Sequence, residues 1–438
     1  MENVSKKSVN NWYLPNEKPP FLKLILFSLQ ILIAVLPATI VVPLLTGFDV
    51  ATTIFASGFA TLCFIGVTKG KVPLYIGSSF SYIGAMIALM SVSQFANLGQ
   101  FDKIAIATFG IAASGVINIL AGILVNKIGM NAITKVITPT LTGSIAMSIG
   151  ATLTANAVGD ALGSGNYGLV VALITLLSII LFSVYLRGFF QQISLLLGIL
   201  VGVGVSYLVL QFAGVSLFRD VIASSTTLLT TPHFVLPKPN WEAMIALGAI
   251  AIATIPESFA HSYQIDTYVD ELADEKGKNH SGIKNMIGTV LIGDGVADIA
   301  SSVIGGVGGT SYGEAISVMS ITKVYSIYTV IGASILAIAV SFFTPFINAI
   351  YAIPATVIGG VEIVCFGGII AQGIVIMKDK VDFFSPKDIL TVASISVIAI
   401  GGQFYQGGVL PIFGMQIPCI AGAAIFGIIL NFLLNFKK

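Results

Sequence analysis

The sequence predicts an all-α polytopic membrane protein, on the basis of its composition and its long uncharged stretches. Of 438 residues, 56% are hydrophobic and 9% are charged, and the mean hydropathy is +0.97. Soluble globular proteins carry about 25% charged residues. Residues 324–361 and 389–436 contain no charge, and each stretch exceeds the roughly 20 apolar residues that one transmembrane helix needs. A lipid bilayer is therefore the first expected partner.

Composition also excludes several function classes. The net charge of +1 argues against a nucleic-acid partner. The three cysteines lie singly in apolar segments and fit packing positions better than metal ligands or disulfides. No HExxH or Walker motif occurs, so we expect no enzymatic activity, no metal and no cofactor.

Apolar segments separated by charges, glycines or prolines predict fourteen transmembrane spans. The predicted spans lie near 21–45, 51–68, 73–91, 104–125, 132–153, 167–186, 189–212, 243–263, 285–304, 310–322, 325–349, 354–376, 388–402 and 411–435. The polar residues 1–20 lack a cleavable signal pattern and are expected to form a cytoplasmic tail.

The distribution of basic residues tests the number of spans. With the tail inside and sides alternating, Lys103, Arg219 and Lys238 fall outside and the other 18 of the 21 basic residues fall inside. Cytoplasmic loops are enriched in Lys and Arg. Removing one span from the count would move every later loop to the other side of the membrane and would spoil this asymmetry. We therefore expect fourteen spans in the cell membrane, with both termini cytoplasmic.

The longest outside loop divides the spans into seven and seven. Because seven is odd, the second half begins on the opposite face, which predicts inverted repeats. The expected domains are a tail (1–20), a first repeat (21–212), an extracellular linker (213–241) and a second repeat (242–438). In the third span of each half, "YIGSSFSYIGAM" (75–86) resembles "GVGGTSYGEAIS" (306–317). The alternative interpretation of this likeness is close helix packing through small residues.

Six ionisable residues fall within the predicted spans, and each costs roughly 2.5–3.5 kcal/mol at a helix centre. They are Glu257, His261, Asp294, Asp298, Glu314 and Glu362. Glu257 and His261 are four residues apart, which places them on one helix face after Pro256. This pair combines a carboxylate acceptor with a group that titrates near neutral pH. The alternative is a buried pair that satisfies itself.

Glu314 follows the glycine-rich stretch "GGTSYG" (308–313). Glycines free backbone groups from the helical ladder, and within a membrane such groups must face a cavity or find partners. A helix that resumes at Glu314 would direct its positive end at that cavity. With Phe80 and Tyr312 as an aromatic surface, the arrangement suits a small polar ligand.

The remaining membrane acids are less clearly functional. Asp294 and Asp298 share a helix face, and we favour a structural role, with pairing to Lys284 or Lys323 among the options. Glu362 is either a second proton site or an interhelical hydrogen-bond partner, and this choice stays open.

These residues resemble those of the nucleobase–ascorbate transporters, and among them the bacterial uracil permeases, from about residue 20 to the end of the chain. The resemblance rests on five segments. They are "VVPLLTG" (41–47), "GSSFSYI" (77–83), Glu257 with His261, "TSYGEAISVMSITKVYS" (310–326) and "IPATVIGGVEIVCFGGIIAQGI" (353–374).

The resemblance implies a fold of two inverted repeats. Spans 1–4 and 8–11 would form a core domain and spans 5–7 and 12–14 a gate domain. Short extended segments would interrupt spans 3 and 10, which agrees with the two glycine- and serine-rich stretches.

The resemblance also assigns roles to individual residues. Glu257 and Glu314 would accept hydrogen bonds from the substrate, and backbone N–H groups of Phe80 and Gly313 would donate to it. Tyr312 would lie beside the base, and Phe366 matches a gate aromatic more loosely. His261, with Glu314, would take part in proton coupling.

The implied activity is import of a nucleobase, uracil first, by proton symport. The chain departs from the family pattern at Ile31, Ala315, Ser317 and Glu362, which leaves the base and the coupling ion open. One alternative is a xanthine or other purine permease of the same family. Another is an anion carrier of the same fold, which two carboxylates at the site disfavour. A homodimer is left open.

Overall fold

The fold is taken from a computed structural model, which describes residues 12–129, 137–219, 227–378, 380–405, 408–412 and 414–435. The first part of the predicted tail and the start of the fifth predicted span, 132–136, lie outside the described residues.

The first half of the chain is helical apart from one short strand. Its elements are α1 (Phe21–Thr46), α2 (Val50–Val67), β1 (Ile76–Ser78), α3 (Ile83–Met90), α4 (Gln100–Ile128), α5 (Pro139–Leu162), α6 (Gly165–Tyr185), the single turn α7 (Phe189–Gln192) and α8 (Ser194–Ala213). A 3₁₀ turn, Phe80–Tyr82, joins β1 to α3.

The second half repeats this pattern of helices around one strand and adds a hairpin near its end. Its elements are α9 (Trp241–Gly248), α10 (Ala251–Glu275), α11 (Ile287–Val303), β2 (Gly309–Ser311), α12 (Gly313–Thr322), α13 (Ile327–Ser341), α14 (Thr344–Tyr351), α15 (Ala355–Met377), α16 (Pro386–Ser396), β3 (Val409–Ile412), β4 (Met415–Pro418) and α17 (Cys419–Asn435).

The helices have the length and composition of membrane spans. Within the described residues, nine helices are long and apolar enough to cross a bilayer. Every predicted span overlaps at least one helix, although several of these helices are short or interrupted. The protein is therefore an integral membrane protein of mostly helical fold, as predicted.

Three predicted spans differ from the observed elements. The eighth is divided between α9 and α10, where Ile252 and Ala253 donate to carbonyls only three residues back, at 3.2 and 2.8 Å. The eleventh ends at Ser341, and Pro345 lies in the first turn of α14, where a missing N–H costs nothing. The last begins as the β3–β4 hairpin, so its helix starts only at Cys419.

The two glycine-containing extended segments meet as a two-stranded antiparallel ribbon. Gly77 of β1 lies opposite Thr310 of β2. The ribbon continues at both ends, because the Ser79 amide donates to the Gly308 carbonyl at 2.9 Å and the Tyr312 amide to the Tyr75 carbonyl at 2.9 Å. Extended segments were predicted in spans 3 and 10, and the structure has them there.

Helix packing divides the molecule into two groups. The first group contains α1, α2, α4, α9, α11 and α13, with α11 packed on both α2 and α4. The second contains α5, α6, α8, α15, α16 and α17, with α15 packed along α5 and α6. Glycines allow this closeness, since a Cβ atom on Gly373 would lie 2.5 Å from the Met147 amide nitrogen. The surface between the groups is where a cavity forms.

An N-terminal strap, residues 12–20, ties the chain to the first group. The Tyr13 amide donates to the Lys323 carbonyl at 3.0 Å, and the Tyr325 amide donates to the Tyr13 carbonyl at 2.8 Å. Glu17 binds Nζ of Lys276 at 2.6 Å and also binds Lys278. The strap therefore joins the last turn of α10 to the segment that follows α12.

Candidate substrate site

A cavity of about 570 Å³ lies between the two helix groups. One wall comes from residues 78–81, α10 and residues 310–317, on the side of the first group, and the other from α5, α6, α8 and α15. Its lining includes Ser78, Ser79, Phe80, Ser81, Thr142, Ser183, Gln191, Gln192, Ser194, Pro256, Glu257, His261, Thr310, Ser311, Tyr312, Gly313, Glu314, Ser317, Val364, Cys365, Gly368 and Gln372.

The structure brings together five of the six residues predicted to contact substrate, and the predicted proton-coupling histidine. Glu257, Glu314, Phe80, Gly313, Tyr312 and His261 all line this cavity. Glu257 lies in the second turn of α10, whereas Glu314 lies in the first turn of α12. Two carboxylates from separate helices therefore share one cavity.

Backbone donors face the same cavity. Gly313 is the first residue of α12, so its amide and those of the next residues have no acceptor within the helix. The partial positive charge of the helix N-terminus adds to their donor character. His261 lies above this end, because a Cβ atom on Gly313 would be 3.3 Å from Nε2 of His261.

Hydrogen bonds hold the polar wall in place. Nδ1 of His261 lies 2.8 Å from the Ser311 hydroxyl, which joins α10 to β2. The Tyr312 hydroxyl donates to the Ser78 carbonyl at 2.8 Å and accepts from the Thr39 hydroxyl at 3.4 Å. Tyr312 is buried, so its ring is a fixed part of the wall.

Phe366 is placed differently from the prediction. Its ring is 1% exposed and packs in a hydrophobic cluster, and it is not among the residues that line the cavity. Consecutive helical residues point about 100° apart, so the residue of α15 that reaches the cavity is its neighbour Cys365. Cys365 and Gln372, both on α15, are cavity residues that the sequence analysis missed.

The other membrane acids do not line the cavity. Both carboxylate oxygens of Asp294 are buried without a hydrogen-bond partner among the described residues. Pairing of Asp294 with Lys284 is not formed, since Lys284 lies 3.8 Å from Asp266 instead. Asp298 accepts from the Gly309 amide at 2.7 Å, and Glu362 is buried on α15 beside Asp160.

One end of the cavity is lined by polar residues that the sequence analysis also missed. Gln191 and Gln192, in the single turn α7, contribute to this end together with Ser183 and Ser194. Gln191 is exposed and lines the cavity, so this end of the cavity lies near the surface of the molecule. The glutamine pair follows Arg187 after three intervening residues in "RGFFQQ" (187–192), and this pattern is the signal that a sequence reading could have used.

The chemistry of this site is that of hydrogen-bond exchange with a flat polar molecule. Ionised carboxylates only accept hydrogen bonds, and backbone N–H groups only donate them. A heterocycle with both N–H groups and carbonyl oxygens can satisfy both sets. Among the described residues, no group of three or more His, Cys, Asp or Glu side chains is arranged to hold a metal ion.

Comparisons with known proteins show which family the chain is similar to. Residues 22–408 match a family described as the permease family. The uracil permease of Bacillus caldolyticus is 34% identical, with 95% of this chain and 93% of the relative covered. The uracil permease of Bacillus subtilis (strain 168) is 30% identical, with 99% of this chain and 97% of the relative covered.

Among solved structures, the murine Solute Carrier 26 family member A9 anion transporter, in the inward-facing state, superposes with a TM-score of 0.67. The match covers 96% of this chain and 69% of that one, at 12% sequence identity. Identity this low shows a shared fold alone.

Proposed function

This chain belongs to the nucleobase–ascorbate transporter family, and from that premise we propose that it imports a nucleobase, uracil first, by proton symport. It is a permease and not an enzyme. The observation that carries the proposal is the meeting of Glu257 and Glu314 with the amide-bearing ends of the β1–β2 ribbon in one cavity.

In the proposed complex, the base lies against the ribbon. Glu257 accepts hydrogen bonds from ring N–H groups, and Glu314 is the second acceptor. The amides of Phe80 and Gly313 donate to the base carbonyls, while Tyr312 supplies a flat wall. Burial favours these contacts, because a buried donor or acceptor that is left without a hydrogen-bond partner costs free energy.

The proposed transport step is relative movement of the two helix groups. The first group, with residues 78–81, α10 and α12, corresponds to the core domain, and the second to the gate domain. A cavity between them supports this division, since sliding one group past the other would expose it to either side. The proposed topology keeps fourteen spans in two inverted repeats, in the cell membrane, with both termini cytoplasmic.

The end of the cavity lined by Gln191 and Gln192, which follow Arg187 in the chain, would then face the cytoplasm. Arg187 belongs to the basic residues that the positive-inside rule places there. The structure would accordingly represent the state that releases substrate inside the cell.

The proposed proton pathway uses His261 and Glu314. Both line the cavity, and His261 is linked through Ser311 to the strand that leads into Glu314. A proton taken up by Glu314 would remove a buried negative charge, and a proton taken up by His261 would add an N–H donor. Either change alters the set of hydrogen bonds that the site can make with the substrate.

The experiment for substrate identity is thermal stabilisation of the purified protein by a panel of bases. A ligand that binds the native state raises the apparent stability by mass action. We expect uracil to raise the melting temperature more than xanthine, guanine or cytosine at equal concentration. A larger shift with xanthine would favour the purine alternative, which a cavity of about 570 Å³ has room for.

The experiment for coupling is uptake of labelled uracil into proteoliposomes. An imposed gradient, acidic on the outside, should drive accumulation, and a protonophore should abolish it. Accumulation that is unaffected by the protonophore would reject proton symport. A uracil-independent chloride or bicarbonate current would instead support an anion carrier.

A further inference from the structure

One buried carboxylate outside the cavity holds both halves of the ribbon. Asp298, on α11, is 0% exposed. Its Oδ1 accepts from the Gly309 amide at 2.7 Å. Its Oδ2 accepts from the Tyr82 hydroxyl and from Nδ2 of Asn118, each at 3.3 Å. A carboxylate only accepts hydrogen bonds when ionised, and all three neighbours are able to donate.

The partners of Asp298 lie close in sequence to the proposed substrate donors. Gly309 is the first residue of β2, the strand that leads through Tyr312 into Gly313. Tyr82 ends the 3₁₀ turn that begins at Phe80. The Asp298 side chain therefore holds both the strand that precedes the Gly313 amide and the turn that carries the Phe80 amide.

Close packing around Tyr82 restricts movement of both strands of the β1–β2 ribbon. A Cβ atom on Gly308 would lie 2.7 Å from Cε2 of Tyr82. The Ser114 hydroxyl of α4 lies 2.6 Å from the Tyr82 hydroxyl and can donate to it while Tyr82 donates to Asp298. The ring is thus held between the ribbon and α4, and the carboxylate of Asp298 completes the connection to α11.

We infer that Asp298 is a positioning residue for substrate binding, which sets the separation between the Phe80 and Gly313 amides. It acts through Gly309 and Tyr82 and does not line the cavity. The inference rests on the proposed function, because it concerns the affinity of that same site. Its physical basis is that a rigid pair of donors matches a planar ligand better than a mobile pair.

Asparagine at this position should preserve most of the arrangement. Its side-chain oxygen can accept from the Gly309 amide as Asp298 does. Its NH₂ group would face Asn118, whose Oδ1 is buried without a hydrogen-bond partner among the described residues. Rotation of the Asn118 amide would offer that oxygen as an acceptor. Alanine has no acceptor and leaves the Gly309 amide unsatisfied.

The first test is calorimetric titration of uracil into the wild type, Asp298→Ala, Asp298→Asn and Asn118→Ala. Loss of a hydrogen bond to a charged group predicts about 10- to 100-fold weaker binding for Asp298→Ala. Asp298→Asn should remain within about 5-fold of the wild type. The control, Asn118→Ala, keeps the Gly309 bond and should also stay close to wild-type affinity.

Stoichiometry separates positioning from a role in folding alone. Fewer binding sites per protein with an unchanged dissociation constant would mean that Asp298→Ala only unfolds part of the sample. That result, or wild-type affinity in Asp298→Ala, would overturn the inference.

The second test does not depend on the ligand. Hydrogen–deuterium exchange of peptides that contain residues 309–314 should be faster in Asp298→Ala than in the wild type or Asn118→Ala. Unchanged exchange would reject the inference. Absence of uracil binding by the wild type would contradict the proposed function instead, and the exchange result would still decide whether Asp298 positions the strand.

Discussion

The ring of Tyr312 lies against Gly77, at the place where the two halves of the chain meet. The Tyr312 hydroxyl donates to the Ser78 carbonyl at 2.8 Å. A Cβ atom on Gly77 would come within 2.3 Å of Cε2 of Tyr312. Because Gly77 of β1 has no side chain, there is room for the ring of Tyr312, which follows β2 and forms the aromatic wall of the cavity.

Gly77→Ala should therefore displace Tyr312 and weaken uracil binding. Over-packing a rigid site predicts a loss of affinity of roughly 10-fold, measurable by calorimetric titration. The control is Gly66→Ala on α2, where nothing lies within 4 Å of the added methyl group. Equal affinities for the two variants would show that the Tyr312 position does not affect the site.

Close packing of α5 on α15 should depend on Gly373. A methyl group there would lie 2.5 Å from the Met147 amide nitrogen and 2.7 Å from the Gly143 carbonyl oxygen. Backbone atoms cannot move aside cheaply, so Gly373→Ala should destabilise the protein by about 1–3 kcal/mol. Thermal unfolding monitored by tryptophan fluorescence or light scattering would report this as a lower melting temperature.

Gly367, on the same helix, provides the matched control. Nothing lies within 4 Å of a methyl group added there. Since alanine is favoured over glycine in helices, Gly367→Ala should leave the melting temperature unchanged or raise it slightly. A similar decrease in both variants would show that α15 is sensitive to alanine for another reason.

The N-terminal strap should make stability depend on pH. Burial raises the pKa of Glu17, but hydrogen bonds from Lys276, Lys278 and the Leu14 amide outweigh it and lower the pKa from 4.5 to about 2. Because the folded-state pKa lies below the unfolded value, the stabilisation is present above about pH 4.5 and is lost as the pH falls towards 2.

Comparison of the wild type with Glu17→Gln measures this effect. The wild type should have the higher melting temperature at pH 7, and the difference should shrink below about pH 4.5. Glu275→Gln, which removes an exposed carboxylate nearby, serves as the control. A difference between wild type and Glu17→Gln that does not change with pH would mean that the ion pairs of Glu17 contribute nothing to folding.

Local chemistry made much of the site predictable, whereas the extended segments in spans 3 and 10 were implied by the family resemblance. Glycine-rich backbone next to a carboxylate cannot remain in lipid without partners, so 308–314 had to face a cavity or find partners. Spacing placed Glu257 and His261 on one face, and both reach the cavity. These features depend on residues close together in sequence.

Features set by distant contacts were not predictable. Cys365 and Phe366 differ by one helical step, and only the packing of α15 against α5 decides which one reaches the cavity. The segment before Cys419 is apolar enough for a helix, yet pairing of Val409 with Pro418 makes it a hairpin. The role inferred for Asp298 rests on partners from β2, α4 and the Phe80–Tyr82 turn, which the sequence does not place together.

The most direct test of the central claim is uracil binding by Glu257→Gln. Glutamine keeps the size of the side chain, but it replaces one acceptor oxygen with a donor that opposes the ring N–H groups. We expect calorimetric titration to show binding by the wild type and none by Glu257→Gln, with equal melting temperatures for the two unliganded proteins. Wild-type affinity in Glu257→Gln would contradict the account, because the carboxylate would then have no part in holding the base.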